Sequence, residues 1–250
     1  MYIGRPKVLS IAGFDPSGGA GILADIKTFE QCEAYGMGVT TAITYQTEDQ
    51  FLGVRWLSSE EILSQLMPLL TDYTFSAVKI GLVKDQNILQ EIIIALRKYS
   101  MQVPIVVDPI LKATAGYQFH DGVVKDIFKL ILPDITLLTP NWDEARAISG
   151  NIDGLEGARL LAAETNILLK GGHAREGIGT DYLFFKEGQV ILLAPKGSTA
   201  SPKHGSGCVL SASITAFLSQ GFSLQEACRK GKDYTYQYLL SSSSLLGCHS

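Results

Sequence analysis

Short runs rich in β-branched residues alternate with helix-patterned segments along most of this chain, and no other feature narrows its fold as much. The runs are VLSIAG (8–13), VTTAITY (39–45), FSAVKIG (75–81), PIVVDP (104–109), ITLLTPN (135–141) and NILLKGG (166–172). Helical periodicity fills the intervals near 19–34, 59–70, 86–99, 122–131, 142–148 and 154–164. This rhythm predicts a mostly parallel central sheet with helices on both faces, because parallel strands need crossovers that pack back onto the sheet. TDYLFF (180–185) and QVILLA (189–194), split by Lys186-Glu187-Gly188, predict an antiparallel hairpin at a sheet edge. Gly221 separates the last two helical patterns, and Ser223 with Glu226 has the capping-box spacing for the final one. No repeat or Pro/Gly-rich linker divides the sequence, so residues 1–250 read as a single α/β domain.

Composition excludes several classes. A hydrophobic share of 46% with 18% charged residues describes an ordinary globule, and a net charge of −4 gives no general attraction to nucleic acid. The chain has no uninterrupted apolar run of about 18 residues and no basic-then-apolar start, so no membrane partner and a cytoplasmic location are expected. The cysteines Cys32, Cys208, Cys228 and Cys248 show neither CxxC spacing nor a zinc pattern, and reduced thiols are expected.

Ligands of an open parallel sheet bind beyond the carboxyl ends of its strands. Those ends read Gly13-Phe14-Asp15, Lys79-Ile80-Gly81, Asp108-Pro109, Thr139-Pro140-Asn141 and Lys170-Gly171-Gly172. Any one could be a loop with ordinary turn chemistry; their recurrence on one edge favours a site. GFDPSGG (13–19) is not a P-loop, because Gly19 stands where the lysine belongs and Ala20 where Ser or Thr should follow. Gly205 and Gly207 are not a dinucleotide fingerprint, because Leu210 replaces the third small residue. Gly18, Gly19 and Gly21 allow close approach to a ligand or merely a tight turn.

In KHGSGCVLSASI (203–214) a helix is expected to start near Ser206 or Gly207 and to end near Gln220. The N–H groups of Gly205, Ser206, Gly207 and Cys208 would then form an anion hole at the positive end of the helix. The same field is expected to lower the thiol pKa of Cys208 and make it a base or nucleophile; the competing reading is a small buried hydrophobe. Asn141 and Glu144, three apart at a helix start, suit hydrated Mg²⁺ beside phosphates, or form an N-cap with a first-turn acid. Lys170 and Lys232 could neutralise a polyphosphate and Asp108 could assist a metal, or each could be a solvated charge.

Taken together, GFDPSGGAGILADIK (13–27), VKIGL (78–82), VVDP (106–109), TPNWDEA (139–145), KGGH (170–173), HGSGC (204–208) and GKDY (231–234) form a pattern of order and spacing. That pattern resembles the hydroxymethylpyrimidine/phosphomethylpyrimidine kinases of thiamine biosynthesis, across nearly the whole chain. The resemblance implies a ribokinase-like fold and ATP- and Mg²⁺-dependent phosphorylation of 4-amino-5-hydroxymethyl-2-methylpyrimidine and of its monophosphate. It implies Cys208 as base, where sugar-kinase relatives carry an aspartate, with Gly205, Ser206 and Gly207 as the anion hole. Asp25 and Gln46 would hydrogen-bond the aminopyrimidine, and Gly13, Leu82 and Val107 would line its pocket. Asn141, Glu144, Lys170 and Lys232 would serve ATP phosphates and magnesium, helped by Asp108, while residues 110–116 would form a flap; a homodimer is the expected assembly. The sequence departs from the family's usual pattern with GFD for GSD, GAGILAD for GAGIQAD, Leu82 for methionine, and Tyr45 and Thr47 around Gln46. The alternatives are a pyridoxal kinase, disfavoured by Lys112 in the place of a flap cysteine, and a non-catalytic pyrimidine sensor, which would not need the phosphoryl-transfer residues.

Overall fold

A computed structural model describes residues 4–99, 102–112, 128, 130–173, 179–197 and 201–249. Most of the helix expected over 122–131, and positions 113–116 of the flap, lie outside them. Among the described residues nine strands form one sheet: β1 (Lys7–Phe14), β2 (Tyr35–Gln46), β3 (Phe51–Trp56), β4 (Ala77–Ile80), β5 (Ile105–Val107), β6 (Leu137–Leu138), β7 (Asn166–Leu169), β8 (Asp181–Phe184) and β9 (Val190–Leu193). Their order is β3-β2-β1-β4-β5-β6-β7-β8-β9, parallel from β2 to β7. The expected edge hairpin is β8–β9, with Phe184 opposite Val190. The opposite edge holds a further antiparallel pair, β2–β3, besides β7–β8 and β8–β9; the sequence did not announce it because Gly53 and Arg55 interrupt the alternation of Phe51–Trp56.

The helices are α1 (Gly21–Gln31), α2 (Ser59–Asp72), α3 (Gln86–Tyr99), α4 (Trp142–Ser149), α5 (Gly154–Leu161), α6 (Ser206–Ser219) and α7 (Leu224–Leu240). Strand alternation sorts the core into two layers. Leu9, Ile11, Ile80 and Val107 face a core shared with Ile62 and Leu66 of α2, Ile92 of α3 and Ile148 of α4. Their neighbours Val8, Ala77, Val106 and Leu137 face the other side, against Phe29 of α1 and Leu210, Ala212 and Ile214 of α6. Helices therefore cover both faces, as expected. Helix α6 lies against α1, β1, β4, β5 and α7, and its enclosure explains why it is apolar nearly all round. The expected capping box of α7 is present: the Glu226 N–H donates to Ser223 Oγ and the Ser223 N–H to Glu226 Oε2. Among the described residues no helix is long and apolar enough to cross a membrane.

The order in which strands are added reverses at the β1–β4 contact, with β2 on one side and β5 on the other, so the crevice for a ligand opens beyond Gly13 and Ile80. Residues 242–246 fold back to that edge. Lys203 Nζ donates to the carbonyls of Ser242 and Ser244, and the His204 N–H donates to Leu245 O at 2.9 Å.

Candidate active site

The loop after β1 is organised by Asp15. Its carboxylate accepts the N–H groups of Ser17 and Ala20 and the Ser17 hydroxyl, each at 2.9 Å, and lies 2.8 Å from His204 Nε2. Burial opposes the charge, but the hydrogen bonds from His204 and Ser17 outweigh it and hold the carboxyl below its ordinary pKa. Asp15 thus fastens the loop of residues 15–20 to the segment leading into α6. Gly205, the N-cap of α6, has φ 71°, and a Cβ there would strike the Gly19 carbonyl oxygen. Only glycine fits that junction. The helix starts at Ser206 as expected, and its N-cap has no side chain to cover the first turn. Ser206 is less open than foreseen, since its N–H makes a long bond, 3.3 Å, to Lys203 O.

The first turn faces charge. A Cβ at Gly207 would lie 3.6 Å from Lys170 Nζ and 4.0 Å from Asp108 Oδ2. Asp108, at the end of β5, receives Lys170 Nζ at 2.7 Å, the Thr139 hydroxyl at 3.2 Å and the Ser211 hydroxyl at 3.1 Å. Glu144 Oε2 stands 3.7 Å from the same ammonium. Burial opposes the charge on Lys170, yet Asp108 and Glu144 hold its pKa above the ordinary value. One ammonium serves two carboxylates, and the nearer, Asp108, takes most of its field. Glu144 is left raised to about 7, by burial first and then by Asp108, against the pull of Lys170.

The capping reading of Asn141 and Glu144 holds. Asn141 Oδ1 accepts the Glu144 N–H at 2.9 Å and Glu144 Oε2 accepts the Asn141 N–H at 2.7 Å, a capping box that aims the Glu144 carboxyl at Lys170. The Asn141 side chain is committed to the cap. Lys232 stands apart from this cluster: its Nζ lies 2.6 Å from Asp181 Oδ2 and from Gly179 O, and Asp181 in turn holds the Gly171 N–H at 2.8 Å.

Two expectations need correction. The Cys208 thiol is pushed up to about 11, not down: burial dominates, Asp108 and Asp25 add to it, and Lys79 with the Gly21 N–H opposes it. A helix start carries about half an elementary charge, too little to offset loss of solvent around a thiol only 7% exposed. Asp25 has no exposed surface at all; it receives the Ser10 hydroxyl at 2.6 Å and the ammonium of Lys79, so both its oxygens are engaged. It supports the floor of the site and has no surface open to a ring. Sequence reasoning named Lys79 only as part of a strand end and gave it no role. The available signal was a lysine inside the otherwise apolar AVKI of β4, in register with Ser10 of β1, with both facing α6.

The residues expected around a ring gather at the same edge. A Cβ at Gly13 would lie 3.1 Å from Leu82 Cδ2, and the Leu82 carbonyl accepts the Thr41 hydroxyl at 2.5 Å. Gln46 ends β2 two residues beyond Thr44, whose hydroxyl donates to Phe14 O at 3.1 Å. Val107 is buried in the core against α2 and α3, and lines a small cleft with Gly81, Val83, Asp108, Pro109 and Ile110. A wider groove between Lys196 and Lys230 shares no residue with it and carries none of these groups.

Among the described residues no three His, Cys, Asp or Glu side chains converge as a metal cage. Asp108 and Glu144 are both turned toward Lys170, a donor set that fits Mg²⁺ carried by phosphates and held through water rather than direct ligation.

The phosphomethylpyrimidine kinase family model matches residues 15–249. A hydroxymethylpyrimidine/phosphomethylpyrimidine kinase of Staphylococcus aureus (strain MRSA252) is 36% identical over 244 residues, spanning 92% of this chain and 87% of the relative. The crystal structure of phosphomethylpyrimidine kinase from Clostridium difficile 630 superposes with a TM-score of 0.78 at 34% identity, covering 93% of this chain and 99% of that one. The pyridoxal kinase of Staphylococcus aureus in complex with AMP-PCP and pyridoxal superposes with a TM-score of 0.83 at 27% identity, covering 97% and 90%. With a helix start uncapped by any side chain beside a lysine–carboxylate cluster, and a family match running from Asp15 to His249, the chain belongs to the phosphomethylpyrimidine kinase family.

Proposed function

We propose that the protein is an ATP-dependent kinase that phosphorylates 4-amino-5-hydroxymethyl-2-methylpyrimidine, and then its monophosphate, in thiamine biosynthesis. The observation that carries this is the meeting of Gly207, Lys170, Asp108 and Cys208 at the start of α6, in a chain of this family. The substrate hydroxyl oxygen attacks the γ-phosphorus of ATP, the bond from that phosphorus to the β–γ bridging oxygen breaks, and ADP leaves with the electron pair. The hydroxyl proton passes to the Cys208 thiolate, the one form that can accept it and a minor one at neutral pH for a thiol raised to about 11. Phosphoryl transfer asks mainly for position and neutralised charge, which the first-turn N–H groups and Lys170 supply to the moving phosphoryl group. Mg²⁺ arriving with ATP would neutralise its phosphates, with Glu144 and Asp108 accepting hydrogen bonds from the metal's waters. Gly13, Leu82 and Gln46 hold the ring, Lys232 serves the nucleotide phosphates, and Asp25 acts from beneath through Lys79.

Parallel turnover assays with Mg-ATP and hydroxymethylpyrimidine, its monophosphate or pyridoxal test the assignment. The expected result is a higher kcat/KM for the pyrimidine than for pyridoxal. A reversed preference would transfer the assignment to pyridoxal, which the higher TM-score of the pyridoxal kinase favours; the higher identity of the phosphomethylpyrimidine kinase favours the pyrimidine.

A further inference from the structure

Lysine is among the residues least often fully buried, yet Lys79 has no exposed surface. It projects from β4 toward α6, and its ammonium is anchored by Asp25 of α1, whose second oxygen is fixed by Ser10 of β1. Neutralising Asp25 would not require any further contact. The ammonium nevertheless reaches past it to the main-chain carbonyl of Cys208, at 3.3 Å, where the Ser211 hydroxyl also lies within 3.1 Å. The backbone of residue 208 is thereby held from below as well as by the helix.

The charges around the thiol come from every element packed there. Asp25 faces it from α1, Lys79 from β4, Asp108 from the end of β5, Lys170 from beyond β7 and Tyr238 from α7. Burial opposes the charge on Lys79, but Asp25, the Cys208 thiol and Asp108 keep its pKa above the ordinary value, while burial raises the Asp25 carboxyl.

We infer that Lys79 is a positioning residue for phosphoryl transfer: anchored by Asp25, its ammonium fixes the first turn of α6 and supplies the positive charge that favours the Cys208 thiolate. This rests on Cys208 being the base. A buried ion pair can often be replaced by neutral residues of similar volume without loss of stability, so the pair's worth here lies in its charge.

The test compares wild type with Asp25→Asn/Lys79→Met, a neutral pair of similar size, after circular dichroism establishes that the variant is folded. Iodoacetamide modification of Cys208 is followed by mass spectrometry across pH 7–11. The alkylation profile of the double variant should move to higher pH by about one unit or more, roughly ten-fold slower at pH 8, with kcat falling in parallel and KM for ATP little changed. If the double variant does not fold, Asp25→Asn alone reads the same charge from the other side: removing the neutralising carboxylate should move the profile to lower pH. A profile that coincides with wild type in the folded variant overturns the inference. Failure of the parent reading looks different: Cys208→Ala would turn over at the wild-type rate whatever the Lys79 variants do to thiol reactivity.

Discussion

Glu144→Gln separates the catalytic from the structural work of one carboxyl, because the two should move in opposite directions. In the fold, Glu144 titrates at about 7 against an ordinary 4.5. A group raised in this way adds no penalty below the unfolded value; as pH climbs from 4.5 through 7 the unfolded chain loses the proton first, and stability drains away. At 1.36 kcal/mol per unit, the cost above pH 7 is about 3 kcal/mol. Glutamine carries no charge and escapes it. It can still accept the Asn141 N–H, but a backbone hydrogen bond from Leu111 also reaches the Glu144 carboxyl, and an amide has only one acceptor oxygen to share between them. Losing that bond costs about 1–2 kcal/mol, leaving a net gain near 1–2 kcal/mol at pH 8. For a chain of this size that is a rise of roughly 2–8 °C in Tm. At pH 5, where most Glu144 is already protonated in the fold, the gain should vanish or turn slightly negative. Turnover should fall about ten-fold or more at the same time, with a raised magnesium requirement. Differential scanning calorimetry at both pH values, paired with magnesium titrations of kcat, makes the comparison. A variant no more stable than wild type at pH 8, with the same difference at pH 5, would refute the reasoning.

Cys208→Ala should keep its circular dichroism spectrum and lose about 10²-fold in kcat, the usual scale for removing a general base; a variant with full turnover returns the cysteine to packing. Above pH 9 iodoacetamide should modify Cys208 before Cys32 and Cys228, since burial pushes Cys208 to about 11, Cys32 to about 12 and Cys228 higher still. Peptide mapping that finds Cys208 last contradicts this order. Those raised thiols also set an alkaline limit: their contribution is complete below the unfolded thiol value of 9.0 and is lost as pH rises past it. Tm should be flat from pH 7 to 8.5 and fall thereafter, and a Tm unchanged at pH 10.5 counts against it. Gly205→Ala meets both a positive φ and the Gly19 carbonyl, so it should cost about 2 kcal/mol or more in urea unfolding and reduce kcat in whatever folds. Wild-type stability and turnover would show that the junction yields.

The parallel centre and the β8–β9 hairpin were legible because short apolar, β-branched runs such as 8–13 stand clear of the 3.6-residue period of segments such as 86–99. Strand β3 was not, since its glycine and arginine break the period and its pairing is supplied by β2. At the site, short-range chemistry was readable: the Asn141–Glu144 spacing gave the cap, and the glycines around Ser206 gave the helix start. What failed were quantities set by enclosure. The sequence exposes the helix-start field on Cys208 but not the sheet and helices that strip its solvent, so the direction of its pKa came out reversed. Lys79 and Asp25, 54 positions apart, each look like ordinary charges until the fold brings them together.

The clasp between Asp15 and His204 joins positions 189 residues apart, and His204 is held in turn by Leu245. Contacts of such long sequence separation carry the largest closure entropy and slow the folding of proteins dominated by them. Strands β1, β4 and β5 can therefore align well before the loop of residues 15–20 locks onto the start of α6. Catalytic competence is then the last property the chain acquires. In refolding experiments, ellipticity should recover ahead of turnover, and the interval between them measures the closing of this one junction.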